Sequence, residues 1–210
     1  TTGCEITQGY GLTETSPIVS VNKIEDKFNS TIGLPLPSTE ISIRDSHGNE
    51  LEIGKEGELC VRGPQVMEGY WNNIEETKNV FTSDGFFMTG DIAKIDSNGF
   101  ISIVDRKKDM IISSGFNVYP NEIEEYVSSH PGILECGVIG KEDKNRGESI
   151  ILYAVRQDEG LSESDIIEFC KKGLTIYKIP KKVFFISELP KNNVGKILRR
   201  KLRESKLSVK

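Results

Sequence analysis

Residues 8–15, Gln-Gly-Tyr-Gly-Leu-Thr-Glu-Thr, bring two glycines, an aromatic ring, hydroxyls and a carboxylate together. The glycines beside Tyr10 let the backbone approach a ligand closely, because neither carries a Cβ atom. The Tyr10 ring offers a flat face for a nucleobase, and the Thr13 and Glu14 oxygens suit Mg²⁺ beside phosphates. A glycine-rich turn with a packed tyrosine explains the same spacing, so both interpretations remain open.

Two further segments carry charged groups that could hold a sugar or a phosphate. Asp91 follows Thr89 and Gly90, and a carboxylate at a strand edge can accept two ribose hydroxyls. In residues 105–109, Asp-Arg-Lys-Lys-Asp, the planar guanidinium of Arg106 could hold a ribose or phosphate oxygen. On pattern alone, an aspartate after glycine is usually a turn residue and a run of charges is usually an exposed linker.

Lys196 is the fourth candidate and lies in residues 190–197, Pro-Lys-Asn-Asn-Val-Gly-Lys-Ile. A lysine after glycine on a loop can present a point charge to a phosphate. Surface lysines are common, so the local pattern does not separate this role from a solvated side chain. His47 and His130 lie in a predicted turn and at a predicted helix end, without a nearby nucleophile pattern. The four cysteines lack metal-ligand spacing, and we expect Cys60, Cys136 and Cys170, which lie in apolar segments, to be reduced core residues.

The first half of the chain is predicted to position its candidates on strands. Alternating or β-rich segments predict strands at residues 41–44, 50–52, 57–62, 92–95 and 100–104. Residues 96–99, Asp-Ser-Asn-Gly, are a strong hairpin turn signal. A short helix is expected at 74–81. Together these elements predict a small barrel-like β unit that closes near residue 105.

The second half alternates between strands and helices. Strands are predicted at residues 110–113, 117–119, 133–139, 149–156 and 183–186, and helices at 120–129, 162–173 and 197–207. Pro120 suits the first helical turn, where its missing N–H has no cost. Ser162 is a plausible N-cap for the second helix. The sequence therefore predicts an α+β protein with a domain boundary between residues 1–105 and 106–210.

Composition and charge narrow the classes of partner. The chain has 210 residues and a net charge of −5, and no apolar run reaches the roughly 20 residues that span a bilayer. No signal segment opens the chain, so we expect a cytoplasmic protein. The last 30 residues carry ten Lys or Arg against two Glu, which would suit peripheral contact with the inner face of a membrane. Since this tail has no aromatic residue after Lys191, we expect no nucleic-acid partner.

Taken together and in order, these segments resemble the adenylate-forming superfamily of acyl-CoA synthetases, nonribosomal peptide adenylation domains and firefly-type luciferases. The resemblance is carried by residues 10–15, by Thr-Gly-Asp at 89–91, and by the longer runs 105–124 and 190–200. The last two runs are most similar to bacterial long-chain fatty acid–CoA ligases. By this resemblance, residues 1–105 are the end of a large AMP-binding domain and residues 106–210 are its C-terminal lid.

The resemblance implies a nucleotide site formed by Tyr10, Gly11, Thr13, Asp91 and Arg106. Tyr10 would stack on adenine, and Asp91 would hold the ribose hydroxyls with the help of Arg106. Thr13 would contact the α-phosphate, and Glu14 would help to bind Mg²⁺. Thr13 and Glu14 would therefore be catalytic as well as binding residues.

The same resemblance implies three roles in the lid. Lys108 would be the hinge between the two domains. Ser114 and Gly115 would line the channel for the pantetheine arm of coenzyme A. Lys196 would reach the acyl carboxylate and the α-phosphate during adenylation, as the third catalytic residue.

The reaction implied is that of a long-chain fatty acid–CoA ligase, an acid–thiol ligase that uses ATP, Mg²⁺ and coenzyme A and passes through an acyl-adenylate. Its partners would be these small molecules, and the sequence does not fix an oligomeric state. The superfamily's phosphate loop ending in Pro-Lys-Gly is missing, so we expect the 210-residue piece to be inactive alone. An enzyme that loads a carrier protein and a non-catalytic nucleotide-binding module remain the alternatives.

Overall fold

The structure is a computed structural model that describes residues 4–24 and 29–204. The chain divides into two compact units, Thr1–Lys107 and Lys108–Lys210, each with sheets and helices. This division lies two residues beyond the boundary predicted from the sequence. The α+β class is confirmed.

Over residues 4–24 and 29–107, the first unit contains two antiparallel sheets and one short α-helix. The three-stranded sheet has the order β1-β2-β3, formed by β1 (Gly9–Gly11), β2 (Ile18–Val21) and β3 (Leu34–Pro35). The four-stranded sheet has the order β4-β5-β6-β7, formed by β4 (Glu40–Arg44), β5 (Gly57–Arg62), β6 (Phe87–Ile95) and β7 (Ile101–Arg106). Helix α1 spans Ile74–Asn79. Across the described residues both sheets are open, so the barrel-like unit does not close.

The hairpin that joins β6 and β7 is the turn predicted at residues 96–99. The Asp96 carboxylate accepts hydrogen bonds from the backbone N–H groups of Asn98 and Phe100, at 2.8 and 2.9 Å. Gly99 has a φ of +86°, which a side chain would oppose. The strand predicted at 50–52 is not formed. Only Glu50 makes a bridge, to Arg44, whose other edge pairs with Glu58 of β5. The pairing ends there because the chain turns at residues 52–55, where the Lys55 N–H donates to the Glu52 carbonyl at 3.1 Å.

The second unit is built on one five-stranded sheet. Its strands are β8 (Ile111–Ser113), β9 (Phe116–Val118), β10 (Ile133–Asp143), β11 (Gly147–Arg156) and β12 (Lys182–Phe185). The order is β10-β11-β8-β9, and β12 runs parallel to β11. The helices are α2 (Pro120–Ser128), α3 (Glu163–Gly173) and α4 (Arg199–Glu204).

The helices of the second unit bury the faces that their spacing predicts. Ile123 and Val127 of α2, four residues apart, are both fully buried. Helix α3 begins with a capping box in which Ser162 accepts from the Asp165 N–H and Asp165 accepts from the Ser162 N–H. Helix α4 buries Leu202 and is described only to Glu204, so residues 205–207 of the predicted helix lie outside the described residues.

Three of the cysteines, Cys60, Cys136 and Cys170, are buried with reduced thiols, as expected. Burial raises the pKa of the Cys60 thiol to about 12 and those of Cys136 and Cys170 to about 11. These thiols are therefore protonated at neutral pH and poorly nucleophilic. Within residues 4–24 and 29–204, no helix is long and apolar enough to cross a membrane.

Candidate functional site

Asp91, near the middle of β6, is held between two side chains of the first unit. Its Oδ2 accepts a hydrogen bond of 2.5 Å from the Tyr10 hydroxyl, and its Oδ1 pairs with Arg106 Nε at 2.9 Å. The Asp91 side chain is only 4% exposed, whereas that of Arg106 is 45% exposed. The β6–β7 register places Asp91 opposite Arg106. A buried carboxylate is thus oriented by one neutral and one cationic donor.

The pKa of Tyr10 is raised above its ordinary value, first by burial and then by its hydrogen bond to the Asp91 carboxylate. Both effects disfavour the phenolate, since one removes water and the other would place two negative charges together. Tyr10 therefore remains a hydrogen-bond donor throughout the physiological pH range. The structure joins Tyr10, Asp91 and Arg106 by direct contacts.

The Thr89-Gly90-Asp91 segment is fixed to the neighbouring strand β5. The Thr89 hydroxyl donates to the Leu59 carbonyl at 2.9 Å and accepts the Asp91 N–H at 3.1 Å. Gly90 has a φ of +72°, and its N–H donates to the Glu58 carboxylate at 3.2 Å. The glycine is needed for this left-handed conformation, and the conformation orients Asp91.

The turn after β1 explains why residue 11 is a glycine. A Cβ atom at Gly11 would lie 1.7 Å from the Pro17 carbonyl oxygen, so no side chain fits. The following turn, Thr13–Thr15, is closed by Thr15, whose hydroxyl accepts the Leu12 N–H at 3.0 Å. Thr13 is exposed and Glu14 is half-buried on this turn.

Glu14 is held by a contact that the sequence analysis missed. Its Oε1 accepts a hydrogen bond of 2.9 Å from the Tyr70 hydroxyl, and its backbone carbonyl accepts the Met67 N–H at 2.8 Å. The pKa of Tyr70 is raised by its partial burial and then by Glu14, which keeps the hydroxyl protonated. The contact spans 56 residues of chain, so no local pattern could reveal it.

The residues present fit a magnesium ion that arrives with a nucleotide. Among the residues that the structure describes, no three His, Cys, Asp or Glu side chains cluster as a metal cage. Mg²⁺ is commonly held by one or two carboxylates together with substrate phosphates and water. Glu14, with one oxygen on Tyr70 and the other without a described protein donor, suits that arrangement.

Ser114 and Gly115 form the two-residue turn between β8 and β9 in the second unit. Their φ angles are +54° and +81°, and the flanking residues Ser113 and Phe116 pair directly. Two successive positive φ angles are typical of a type I′ hairpin turn. The Ser114 N–H donates to the Arg146 carbonyl at 2.8 Å, and the turn is exposed.

Lys196 lies on a separate loop of the second unit that Asn192 organises. The Asn192 side-chain oxygen accepts the backbone N–H groups of Val194 and Lys196, at 3.1 and 2.9 Å. Gly195 has a φ of +80°. The Lys196 side chain is exposed, and no carboxylate in the described part of the chain pairs with its ammonium group.

Lys108 is the first residue of the second unit and is exposed. Its two neighbours are fixed to different units. Lys107 Nζ pairs with the buried Glu58 carboxylate of the first unit at 2.7 Å. Asp109 pairs with Arg203 of the second unit at 2.9 Å. Lys108 therefore lies between two residues whose side chains are anchored in different units. The sequence had not indicated that Glu58 and Arg203 are the anchoring partners.

The chain matches two family descriptions in succession. Residues 1–71 match the AMP-binding enzyme family, and residues 122–196 match the AMP-binding enzyme C-terminal domain. The first range contains Tyr10 and Glu14, and the second ends at Lys196. Asp91, Arg106 and the Ser114–Gly115 turn lie between the two matched ranges.

Curated relatives and solved structures are similar over nearly the whole chain. A long-chain-fatty-acid–CoA ligase from Yersinia pestis is 52% identical over 99% of this chain, and this chain spans 37% of that relative's length. ATP-bound MatB from Rhodopseudomonas palustris has a TM-score of 0.89 at 39% identity, with 97% of this chain and 41% of that chain covered.

A third similar protein is the O-succinylbenzoate coenzyme A synthetase MenE from Bacillus subtilis, solved with ATP and a magnesium ion. Its TM-score is 0.81 at 38% identity, with coverage of 93% of this chain and 41% of that chain. The Yersinia pestis ligase and MenE are named for different acids. The two solved structures share the fold of this chain over most of its length. The chain belongs to the AMP-binding, adenylate-forming enzyme family.

Proposed function

We propose that this chain serves in a long-chain fatty acid–CoA ligase. The reaction converts ATP, a fatty acid and coenzyme A into acyl-CoA, AMP and diphosphate through an acyl-adenylate. The observation that carries this proposal is the 52% identity to a ligase of that name over 99% of the chain. This chain spans 37% of that relative's length. We therefore expect the acyl pocket and the phosphate loop to lie elsewhere in the complete enzyme.

The Tyr10–Asp91–Arg106 contacts support nucleotide binding by the first unit. A carboxylate has about four acceptor positions, and Tyr10 and Arg106 occupy one on each oxygen of Asp91. Acceptor positions therefore remain for a ribose diol. The Tyr10 ring stacks on adenine, and the exposed Thr13 hydroxyl contacts the α-phosphate.

In the adenylation step, a fatty carboxylate oxygen attacks the α-phosphorus of ATP. A new P–O bond forms, the bond to the β-phosphate bridge breaks, and diphosphate leaves. Negative charge builds on the phosphate oxygens, so the Lys196 ammonium stabilises the transition state. Glu14 would hold the magnesium ion of MgATP, and that ion would neutralise phosphate charge.

In the thioester step, the coenzyme A sulfur attacks the acyl carbon. The thiol loses its proton to water, a C–S bond forms, and the C–O bond to the phosphate of AMP breaks, so that AMP leaves with the bonding electrons. We assign Lys108 as the hinge of a rotation between the two steps. This rotation withdraws the Lys196 loop from the active site and brings the Ser114–Gly115 turn toward it. Excluding water between the steps protects the adenylate from hydrolysis.

The test uses the complete enzyme, with the 210-residue chain as a control. The enzyme is incubated with MgATP and carboxylic acids from acetate to oleate, with and without coenzyme A, and diphosphate and thioester are measured. Coenzyme A consumption with the long acids is the expected result. Diphosphate release without a free thioester would instead indicate carrier-protein loading, and no release with any acid would indicate a non-catalytic module.

We also propose that the enzyme works in the cytoplasm, with peripheral contact at the inner face of the membrane. The support is the net charge of +8 over the last 30 residues together with a lipid-like substrate. Binding to anionic vesicles should fall steeply as salt rises, because exposed charges are screened. If equal amounts of the enzyme sedimented with neutral and with anionic vesicles, the proposed membrane contact would be contradicted.

A further inference from the structure

Tyr70 contacts Glu14, but none of the assigned roles includes it. Its hydroxyl donates to Glu14 Oε1 at 2.9 Å, and both side chains are half-buried. The second Glu14 oxygen receives no hydrogen bond from any residue in the described ranges. One oxygen of this carboxylate is therefore fixed and the other is left available.

Tyr70 is itself held in place by helix α1. Its backbone N–H donates to the Thr77 hydroxyl at 2.9 Å, and that hydroxyl donates to the Asn73 carbonyl at 2.8 Å. A Cβ atom at Gly69 would lie 2.6 Å from Thr77 Cγ2, so the glycine permits this close packing. These hydrogen bonds and the packing of Gly69 on Thr77 thus hold Tyr70 in the position from which its hydroxyl reaches Glu14.

The same segment also holds the backbone of Glu14. The Met67 N–H donates to the Glu14 carbonyl at 2.8 Å, three residues before Tyr70. Glu14 is therefore fixed at both its main chain and its side chain by one segment. The side-chain donor is neutral, so it orients the carboxylate without cancelling its charge. A lysine or arginine in that place would compete with a cation.

We infer that Tyr70 is a positioning residue that orients Glu14 for the divalent cation of the nucleotide substrate. The inference rests on the proposed function, since Glu14 is the proposed ligand. Hydrogen bonds to ligating carboxylates fix their orientation, and losing one typically lowers metal affinity about 10–100-fold. Tyr70 does not touch the cation, and its effect passes through Glu14.

The test replaces Tyr70→Phe in the complete enzyme, which removes one hydroxyl and keeps the ring. The matched control is Tyr126→Phe in the second unit, where the hydroxyl donates to the Phe169 carbonyl at 3.2 Å. Mn²⁺ binding is measured by electron paramagnetic resonance with α,β-methylene-ATP present. We expect the Mn²⁺ dissociation constant to rise about tenfold in Tyr70→Phe and to stay unchanged in the control.

A second readout separates positioning from general damage. The Mg²⁺ concentration for half-maximal diphosphate release should rise with Tyr70→Phe, while the rate at saturating Mg²⁺ returns near that of the parent. In a Glu14→Gln background, Tyr70→Phe should cause no further loss of Mn²⁺ affinity, because the two residues act as one unit.

The outcomes that overturn the inference are distinct. An unchanged Mn²⁺ dissociation constant, an equal rise in the Tyr126→Phe control, or a full additional loss in the Glu14→Gln background would each do so. If the parent enzyme releases diphosphate and Tyr70→Phe has the parental Mn²⁺ affinity and Mg²⁺ dependence, this inference fails and the proposed function stands. If the parent releases none with any acid, the proposed function fails and the inference fails with it.

Discussion

At the scale of single residues, Asp91 is the centre of the nucleotide proposal. It is buried, and it is joined to a neutral donor and a cation that come from different strands. The sequence motif identified Asp91, Tyr10 and Arg106 as separate candidates. The Asp91–Arg106 contact follows from the pairing of β6 with β7, whereas the Tyr10–Asp91 contact joins strands of two different sheets across 81 residues, which no local pattern encodes.

Asp91→Asn in the complete enzyme should weaken nucleotide binding. The amide loses the charge that pairs with Arg106 and one acceptor oxygen for the ribose. Hydrogen bonds to charged groups contribute about 1.5–3 kcal/mol, so the KM for ATP should rise on the order of tenfold to a hundredfold. Steady-state kinetics at a series of ATP concentrations measure this KM.

The control for Asp91→Asn is Asp84→Asn. Asp84 is half-exposed and pairs with Arg44 at 2.6 Å in the same unit. Asp84 does not contact Tyr10, Asp91 or Arg106, so the control should keep the parental KM for ATP. Equal effects of the two changes would remove Asp91 from the nucleotide site.

At the scale of elements, the sequence predicted most strands and helices because alternation and capping are local signals. Strand β5 was predicted with its observed bounds, and the Ser162 cap of α3 was identified. The strand predicted at 50–52 was wrong because the turn at residues 52–55, which the alternation does not reveal, ends the pairing with β4 after Glu50. Pairings such as Tyr70 with Glu14 depend on the tertiary fold and were missed.

Gly115→Ala tests the β8–β9 turn as an element. The φ of +81° with open space around the Cβ position means that the strain is in the backbone alone, costing about 1 kcal/mol. If the turn lines the pantetheine channel, thioester formation from supplied oleoyl-AMP should slow while oleate-dependent diphosphate release persists. Denaturant unfolding and the two half-reaction assays measure these effects.

Gly48→Ala is the matched control for that turn. Gly48 has a φ of +84° and also has nothing near its Cβ position, but it lies in the first unit. Both changes should lower stability by a similar amount, and the control should leave both half-reactions intact. Slower thioester formation in the control as well would show that the effect is general destabilisation.

At the scale of the whole molecule, the division between two units gives Lys108 its proposed role. Lys107 is fixed to the first unit through Glu58, and Asp109 is fixed to the second through Arg203. A rotation between the units would therefore change the backbone dihedral angles mainly at Lys108, the residue between these two anchors. Sequence reasoning placed the boundary near this run of charges but could not show which side chains anchor it.

Lys108→Pro should separate the half-reactions of the complete enzyme. Proline fixes φ near −65°, so the hinge loses its freedom. We expect diphosphate release to survive and thioester formation to fail, as measured with oleate and with oleoyl-AMP. Lys108→Ala, which removes the side chain and leaves φ free, should retain both steps. Loss of adenylation with retained thioester formation would refute the hinge assignment.

The central claim, an acyl-adenylate pathway in which Lys196 serves the first step, is tested most directly by Lys196→Ala. The two half-reactions are measured separately, as ATP–diphosphate exchange with oleate and as thioester formation from supplied oleoyl-AMP, with Lys201→Ala as the control. We predict that exchange falls on the order of a hundredfold or more, that thioester formation is retained, and that the control resembles the parent. An equal fall in both half-reactions would contradict the claim.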